Sequence, residues 1–191
     1  RLERGGTILV DGGVGSEFLG RGVYWGSHGL ERNQDVVEAV HTDYIQAGAG
    51  VLSTNTFQLS RRSYSNLFHG LEHMRRIGPP GLEHRAGELT AQAVEAARRA
   101  REKSGHEVAI AGYLSPLEHC YRPDLVPPEA DLRREHEETM TQLARAGGDL
   151  ILLETMTTAR EARGALDVAR GAGLPVWVSF ILGPEGELLS R

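Results

Sequence analysis

The chain has very little cysteine, no long apolar run and no apolar leader segment. Its single cysteine, Cys120, cannot form an internal disulfide, which is typical of a protein from a reducing compartment. No apolar stretch approaches the roughly 18 residues that a membrane-spanning helix needs, and the N-terminal residues lack the apolar core of a secretion signal. These absences predict a cytoplasmic protein that does not enter a membrane.

The chain also lacks an excess of positive charge. Its formal net charge is −5, and Lys and Arg are scattered rather than clustered, which argues against a nucleic-acid-binding surface. The length of 191 residues is enough for one domain with a real core, so residues 1–191 are predicted to form a single domain. Because the sequence begins with Arg1 rather than Met, we expect it to be a piece of a longer polypeptide.

Short apolar runs alternate with longer helical patterns along the chain. Composition predicts five strands, at residues 7–10, 50–56, 108–112, 149–154 and 175–181. Helical periodicity predicts helices at residues 34–47, 84–103, 129–145 and 158–170, with at most a short helix near 63–68 in the stretch 59–81. Apolar strands separated by helices predict a parallel sheet. Periodicity does not choose between an open doubly wound sheet and a closed (β/α)8 barrel, which typically has about 250 residues.

Four of the predicted strands end in polar residues. In parallel α/β folds the functional side chains gather at the carboxyl ends of the strands. Asp11 follows the first strand, residues 54–56 end the second, Glu154 ends the fourth and Ser179 lies near the end of the fifth. We expect these side chains to face one site.

The residues after Asp11 suggest what that site would bind. Gly12, Gly13 and Gly15 allow backbone N–H groups to approach a ligand closely, which suits a carboxylate or a phosphate. The carboxylates of Asp11 and Glu154 suit an ammonium group, so together the residues predict a site for an amino-acid zwitterion. Two structural alternatives stay open: Asp11 could serve a turn or cap a helix, and Glu154 could be a surface residue.

Other patterns point less clearly to chemistry. The glycine turn fits neither a dinucleotide fingerprint nor a phosphate-binding loop. His69 and His73 have a spacing that could bind a metal on one helical face, but no suitable third ligand is near in the sequence. His136 lies on the apolar face of its helix, and Cys120, beside His119, is more typical of an incidental thiol than of a nucleophile.

Several segments resemble the homocysteine S-methyltransferase family, and they occur in the family's order. Residues 11–19 resemble its opening Asp-Gly-Gly-x-Gly-Thr-x-Leu motif, and residues 52–58 its Thr-Asn-Thr-Phe/Tyr segment, which follows a similar helix end at 41–49. Residues 111–116 are similar to its Gly-Ser-x-Gly-Pro turn, residues 147–156 to its Gly-Val-Asp-x-x-x-x-Glu-Thr signature, and residues 177–180 to its fifth strand.

The resemblance implies a TIM-type (β/α)8 barrel that transfers a methyl group to the thiol of homocysteine and makes methionine. Its partners would then be homocysteine and a small methyl donor. The substrate-binding residues implied are Asp11, Gly12, Gly13, Asn55, Thr56, Phe57 and Glu154. The two carboxylates would hold the substrate amine, the glycine turn its carboxylate, and the remaining residues would line the pocket near the reacting sulfur or the methyl donor.

The resemblance also implies a catalytic zinc. Family members bind the homocysteine sulfur to zinc, which stabilises the thiolate near neutral pH. Three cysteines hold that ion, one after the sixth strand and two in a Gly-Gly-Cys-Cys segment near the eighth, and Cys120 matches none of them.

We therefore predict a barrel truncated to about its first five βα units, which is inactive in methyl transfer by itself. The alternatives are a non-catalytic amino-acid-binding or assembly module derived from that barrel, and a barrel enzyme that needs no metal. An open barrel would tend to bury its edges, for example in a homo-oligomer.

Overall fold

The computed structural model describes residues 5–23 and 30–189. The described residues form four strands: β1 (Val51–Ser53), β2 (Ala109–Leu114), β3 (Leu150–Met156) and β4 (Val176–Phe180). They also form seven α-helices: α1 (Val14–Gly20), α2 (Gln34–Gln46), α3 (Arg61–Ser65), α4 (Leu71–Ile77), α5 (Arg85–Ser104), α6 (Glu129–Ala146) and α7 (Ala159–Ala169). Short 3-10 turns occur at Leu82–His84, Pro123–Leu125 and Arg170–Ala172.

The strands form one parallel sheet in the order β1-β2-β3-β4. Each strand pairs with the next one along the chain, so that Leu52 lies opposite Ile110 and Leu152 opposite Trp177. Helices α5, α6 and α7 make the returns between them. The order of the described strands contains no reversal, whereas a doubly wound sheet reverses its strand order at the point where ligands bind.

The first predicted strand, at residues 7–10, is present only as a single bridge. Val10 pairs in parallel with Val51, Gly50 N donates to Leu9 O at 2.9 Å, and Asp11 N donates to Val51 O at 3.0 Å. Leu9 is 57% exposed and Val10 46% exposed, so the segment lies at the sheet edge with little apolar cover. The prediction of five full strands was therefore wrong at this end of the chain.

The predicted helices are confirmed, with ends that move by one or two residues. The stretch 59–81, expected to hold at most one short helix, contains both α3 and α4, and α1 was not predicted. Helices α5 and α6 are capped at their C-termini by Gly105 and Gly147, which have φ values of 66° and 96° and so take the left-handed conformation that glycine permits. The described part of the chain contains no helix with the length and apolar character of a membrane span.

Alternate residues of each strand face opposite sides of the sheet. Ile151 and Leu153 are fully buried in a cluster with side chains of α6 and α7. Leu150 and Leu152 lie on the other face, in a smaller cluster with residues of β1 and β2 and the half-buried Trp177. The helix-covered face is therefore closed, and the opposite face is covered less completely.

Candidate functional site

A cavity of about 250 Å³ lies at the carboxyl end of the sheet. The residues that line it come from the turn before α1 and the start of α1, from the end of β1 and the residues after it, from β2 and from β3. They are Val10, Asp11, Gly12, Gly13, Val14, Gly15, Ser53, Thr54, Asn55, Phe57, Tyr113 and Glu154. This volume is slightly below the roughly 300 Å³ at which ligand pockets usually start, so the cavity suits only a small molecule.

Asp11 is held in the cavity wall by the end of β1. Its Oδ2 accepts a hydrogen bond from Ser53 N at 2.8 Å, and its Oδ1 accepts one from Ser53 Oγ at 2.8 Å. The N-cap of α1 is Gly13 and makes no side-chain cap bond. Asp11 therefore does not cap the helix, and two donors on one residue fix the orientation of its carboxylate.

The threonines after β1 continue its pairing with β2 through their side chains. Tyr113 N donates to Thr54 Oγ1 at 2.9 Å, and Thr56 Oγ1 donates to Tyr113 O at 2.6 Å. Because the Thr56 proton is used in that bond, the 2.8 Å contact between the two hydroxyls has Thr54 as its donor. This network fixes the backbone on both sides of Asn55 and places Tyr113 at the cavity wall.

Glu154 reaches the cavity from an irregular part of β3. The pairing of β3 with β4 shifts register between Leu153 and Met156, and Thr155 has a φ of 66°. Positive φ is a strained conformation for a β-branched residue, and bulges of this kind redirect side chains next to functional sites. Thr155 Oγ1 lies 3.2 Å from the Tyr113 hydroxyl, which ties the bulge to β2.

Burial raises the pKa of both carboxyl groups in the cavity. The pKa of Asp11 rises from 3.8 to about 6 because burial and the charge of Glu154 outweigh its hydrogen bonds with Ser53. Burial also raises the pKa of Glu154, opposed by hydrogen bonding with Tyr113. The pKa of Tyr113 is raised as well, chiefly by burial, so its hydroxyl stays protonated.

The described residues that line the cavity include no Lys, Arg or His. Two carboxylates thus face a space with no positively charged side chain to balance them, an arrangement that favours a cationic ligand group. The glycine turn forms another part of the wall, and Gly12 is tightly packed there: a Cβ at this position would lie 2.8 Å from Tyr44 Oη.

The cavity brings together six of the seven residues expected to bind substrate. Thr56 is the exception, since it is buried behind the wall and its hydroxyl bonds to Tyr113 O. Glu154 is not a surface residue beyond its strand but a lining residue within β3. The substrate-binding role of these residues stays a prediction.

Sequence reasoning missed Ser53 and Tyr113. Tyr113 was overlooked because the third predicted strand ended at residue 112, whereas β2 continues to Leu114. The rule that strand ends carry function would have included Tyr113 had that end been placed correctly. The contact of Ser53 with Asp11 depends on the pairing of two distant segments, and no local pattern signals it.

The remaining candidates stay apart from the cavity lining. Cys120 is buried, and burial raises the pKa of its thiol, which disfavours a nucleophilic role. His69 and His73 stack on each other with ring centroids 5.1 Å apart. Among the described residues, no group of three or more His, Cys, Asp or Glu side chains could hold a metal ion.

Similar proteins point to one family. The family model described as Homocysteine S-methyltransferase matches residues 8–190. Homocysteine S-methyltransferase 4 of Zea mays is 26% identical over 198 residues, which cover 93% of this chain and 56% of that protein. S-methylmethionine–homocysteine S-methyltransferase BHMT2 of Rattus norvegicus is 24% identical over 192 residues, which cover 98% of this chain and 47% of that protein. The chain thus spans about half the length of these curated relatives.

A solved structure shares the fold. The metallated form of the homocysteine methyltransferase MmuM from Escherichia coli matches with a TM-score of 0.82 and 24% sequence identity, covering 98% of this chain and 68% of that one. The parallel sheet, the ordered motifs and the match along residues 8–190 agree. The chain belongs to the homocysteine S-methyltransferase family.

Proposed function

We propose that this chain binds homocysteine as a zwitterion and takes part in transferring a methyl group to its thiol, which gives methionine. The observation that carries the proposal is the pairing of Asp11 and Glu154 in a small cavity whose described lining has no basic side chain. An ammonium group placed there would offset the cost of burying both carboxylates. The names of the relatives support homocysteine as the amino acid.

The two ends of the substrate would contact different parts of the wall. The carboxylates of Asp11 and Glu154 would accept hydrogen bonds from the substrate amine. Backbone N–H groups of the turn at Gly12 and Gly13 would donate to the substrate carboxylate. Anchoring the charged end in this way leaves the thiol free to meet a methyl donor and reduces the entropy cost of reaction.

Methyl transfer itself is a displacement at carbon. A lone pair of the homocysteine sulfur forms a bond to the methyl carbon of the donor, the bond between that carbon and the donor heteroatom breaks, and its electron pair leaves with the heteroatom. The thiol loses its proton in the process. Asn55 and Phe57 line the same cavity, and we propose that they contact the reacting end of the substrate or the small methyl donor.

We further propose that the sheet is part of a (β/α)8 barrel limited here to its first βα units. The sequential order of the four strands and the likeness to the Escherichia coli homocysteine methyltransferase support this architecture. The incomplete cover on the face that contains Leu150 and Leu152 also suits the inner side of a barrel. Location in the cytoplasm and self-association stay predictions.

The residues present do not fit the zinc site that the family implies. The described part of the chain has no cluster of three metal-binding side chains, and the only cysteine of the sequence is buried with a raised pKa. We therefore assign no step to a metal held by this chain. A metallated form exists for the Escherichia coli relative, and zinc dependence stays a prediction for a family-length protein.

Calorimetric titration of homocysteine into the 191-residue chain tests the proposal. Asp11→Asn and Glu154→Gln keep the shape of each side chain but remove its charge, so each is expected to weaken binding roughly 10- to 100-fold, the value of a charge-assisted hydrogen bond. Glu72→Gln serves as the control because that carboxylate is on α4, with its side chain 88% exposed. Unchanged affinity in both pocket variants would contradict the assignment of the site.

A second candidate is an amino-acid-binding module without catalysis. It is favoured by a pocket that described residues line and by the lack, among the same residues, of a cluster that could hold a metal ion. Incubation of a family-length protein with homocysteine, zinc and a labelled methyl donor separates the two, because this chain by itself is expected to be inactive in either case. Label in methionine supports transfer, whereas tight homocysteine binding without labelled methionine supports the module.

A further inference from the structure

A third buried carboxylate lies outside the cavity lining, where α7 packs on α6. Glu161 is in the first turn of α7 and is 0% exposed, as is His136 on α6. Glu161 Oε1 lies 3.1 Å from His136 Nε2 and accepts a hydrogen bond from Leu117 N at 2.8 Å. The carboxylate therefore joins two helices to the loop that follows β2.

That loop, residues 115–118, is bonded to the segment that ends in the pocket wall. Gln58 N donates to Ser115 Oγ at 2.9 Å, and Gln58 Nε2 donates to Glu118 O at 3.2 Å. Gln58 has a φ of 52°, a conformation that a non-glycine residue rarely adopts without support. Its neighbour Phe57 lines the cavity, and the Phe57 ring centroid lies 5.7 Å from that of Tyr113.

The contribution of the Glu161–His136 pair to stability does not explain why it is buried. Burying a carboxylate is costly, and well-packed apolar residues in place of a buried polar pair are often neutral or stabilising. Glu161 Oε2 and His136 Nδ1 also find no hydrogen-bond partner among the described residues. What the pair supplies is a fixed acceptor for Leu117 N at one definite point of the core.

We infer that Glu161 is a positioning residue: held by His136, it fixes the 115–118 loop, which in turn holds Gln58 and so sets the position of Phe57 in the pocket wall. The pocket thus depends on a contact made in the closed core. The inference rests on the proposed amino-acid pocket only where homocysteine affinity is measured, since hydrogen exchange at the loop and at Gln58 can be measured without a ligand.

Two substitutions at Glu161 separate positioning from packing. Glu161→Gln keeps an oxygen acceptor for Leu117 N and for a His136 Nε2–H donor, whereas Glu161→Met keeps the length of the side chain and removes the acceptor. Glu161→Met is expected to speed hydrogen exchange at the Leu117 and Gln58 amides and to weaken homocysteine binding, each by roughly 5- to 10-fold, as for one lost hydrogen bond. Glu161→Gln should stay within about twofold of the unmodified chain in both.

A third variant tests the link between the 115–118 loop and Gln58 without changing the core. It tests the inference even if Glu161→Met does not fold. Ser115→Ala removes the acceptor for Gln58 N and should speed exchange at Gln58 and weaken binding without disturbing Glu161. The matched control is Ser65→Ala, since that hydroxyl bonds to Arg62 O within α3. Both control readouts should be unchanged.

Three results would overturn the inference. One is a Glu161→Met chain that melts at a different temperature but keeps the Gln58 exchange rate and the homocysteine affinity. Another is equal loss in Glu161→Gln and Glu161→Met, because the acceptor is present in one and absent from the other. The third is a Ser115→Ala chain that behaves like the control. If the unmodified chain does not bind homocysteine, the proposed function fails, and the exchange rates alone decide this inference.

Discussion

Two regions of this molecule bury a carboxylate, and they do so in different surroundings. Asp11, at the carboxyl end of the sheet, faces a cavity of about 250 Å³ and another carboxylate. Glu161, between α6 and α7, is fully enclosed and faces a backbone N–H and an imidazole. A buried carboxylate can therefore bind a ligand or hold the fold together, depending on the groups that it faces.

The difference has consequences for substitution. We call the core between the sheet and its helices the closed region. Its side chains are closely packed, so substitutions there should change the free energy of unfolding. They should leave ligand binding largely intact as long as the chain folds and the 115–118 loop stays in place. In the pocket region, two carboxylates lack a basic side chain to balance their charge. Removal of one of them should therefore weaken ligand binding and stabilise the ligand-free chain.

The largest effect on stability is expected in the closed region, from Gly164→Ala. A Cβ on Gly164 in α7 would lie 2.4 Å from Leu132 Cδ2 on α6, and Leu132 is fully buried. We expect the free energy of unfolding to fall by roughly 2 kcal/mol, because overpacking outweighs the helix propensity gained by alanine. Chemical denaturation measures the change.

The control for that change is Gly171→Ala, where a Cβ would meet nothing within 4 Å. It should alter the free energy of unfolding by less than about 0.5 kcal/mol. If both variants unfold at the same denaturant concentration, the packing between α6 and α7 is looser than the structure indicates, and the contrast between the two regions loses its basis.

A smaller effect is expected from His41, a polar residue in the closed region. His41 on α2 is fully buried, its ring nitrogens have no hydrogen-bond partner among the described residues, and burial lowers its pKa from 6.5 to about 4. The unfolded chain therefore binds a proton at His41 at a pH where the folded chain does not. Stability from this group is present above pH 6.5 and is lost as the pH falls towards 4.

His41→Leu removes that loss. Compared with the unmodified chain, it should gain about 1 to 2 kcal/mol of unfolding free energy when the pH is lowered from 7 to 5. Thermal melts of both chains across this range measure the gain. Parallel curves would mean that water or a rearranged neighbour solvates the imidazole, and the region would then not be closed at α2.

Sequence patterns predicted the pocket region better than the closed one. The positions of Asp11 and Glu154 at strand ends were enough to place both at one site. In the closed region the periodic helices α2, α5, α6 and α7 were found, but not the polar contact between two of them. Glu161 carries no such signal, since an acidic residue in the first turn is ordinary for an exposed helix start. Only the packing of α7 on α6 buries it.

Backbone detail was also out of reach of the sequence. The positive φ of Thr155 contradicts the preference of a β-branched residue, so it arises from the surrounding sheet rather than from local propensity. The first strand was also mispredicted: the composition of residues 7–10 favours a strand, but only Val10 forms a bridge, with Val51.

The smallest stability effect is expected in the pocket region, from Asp11→Asn. The folded pKa of Asp11 is about 6 against 3.8 in the reference state, so the ionised group costs stability at neutral pH, and this cost disappears as the pH falls through 6 towards 4. An asparagine can still accept from Ser53 N and donate to Ser53 Oγ. The ligand-free variant should therefore be more stable by about 1 kcal/mol at pH 7, less than the pKa change implies because Asp11 is not fully enclosed.

This gain should shrink as the pH is lowered from 7 to 4, whereas the gain from His41→Leu grows over the same interval. Thermal melts of the two variants without ligand measure how each stability gain changes with pH. Opposite changes distinguish a carboxylate that faces a ligand site from an imidazole that is enclosed in the core. If Asp11→Asn were instead less stable than the unmodified chain at pH 7, the hydrogen bonds with Ser53 would outweigh burial. Asp11 would then be a structural residue of the sheet edge, as Glu161 is of the core.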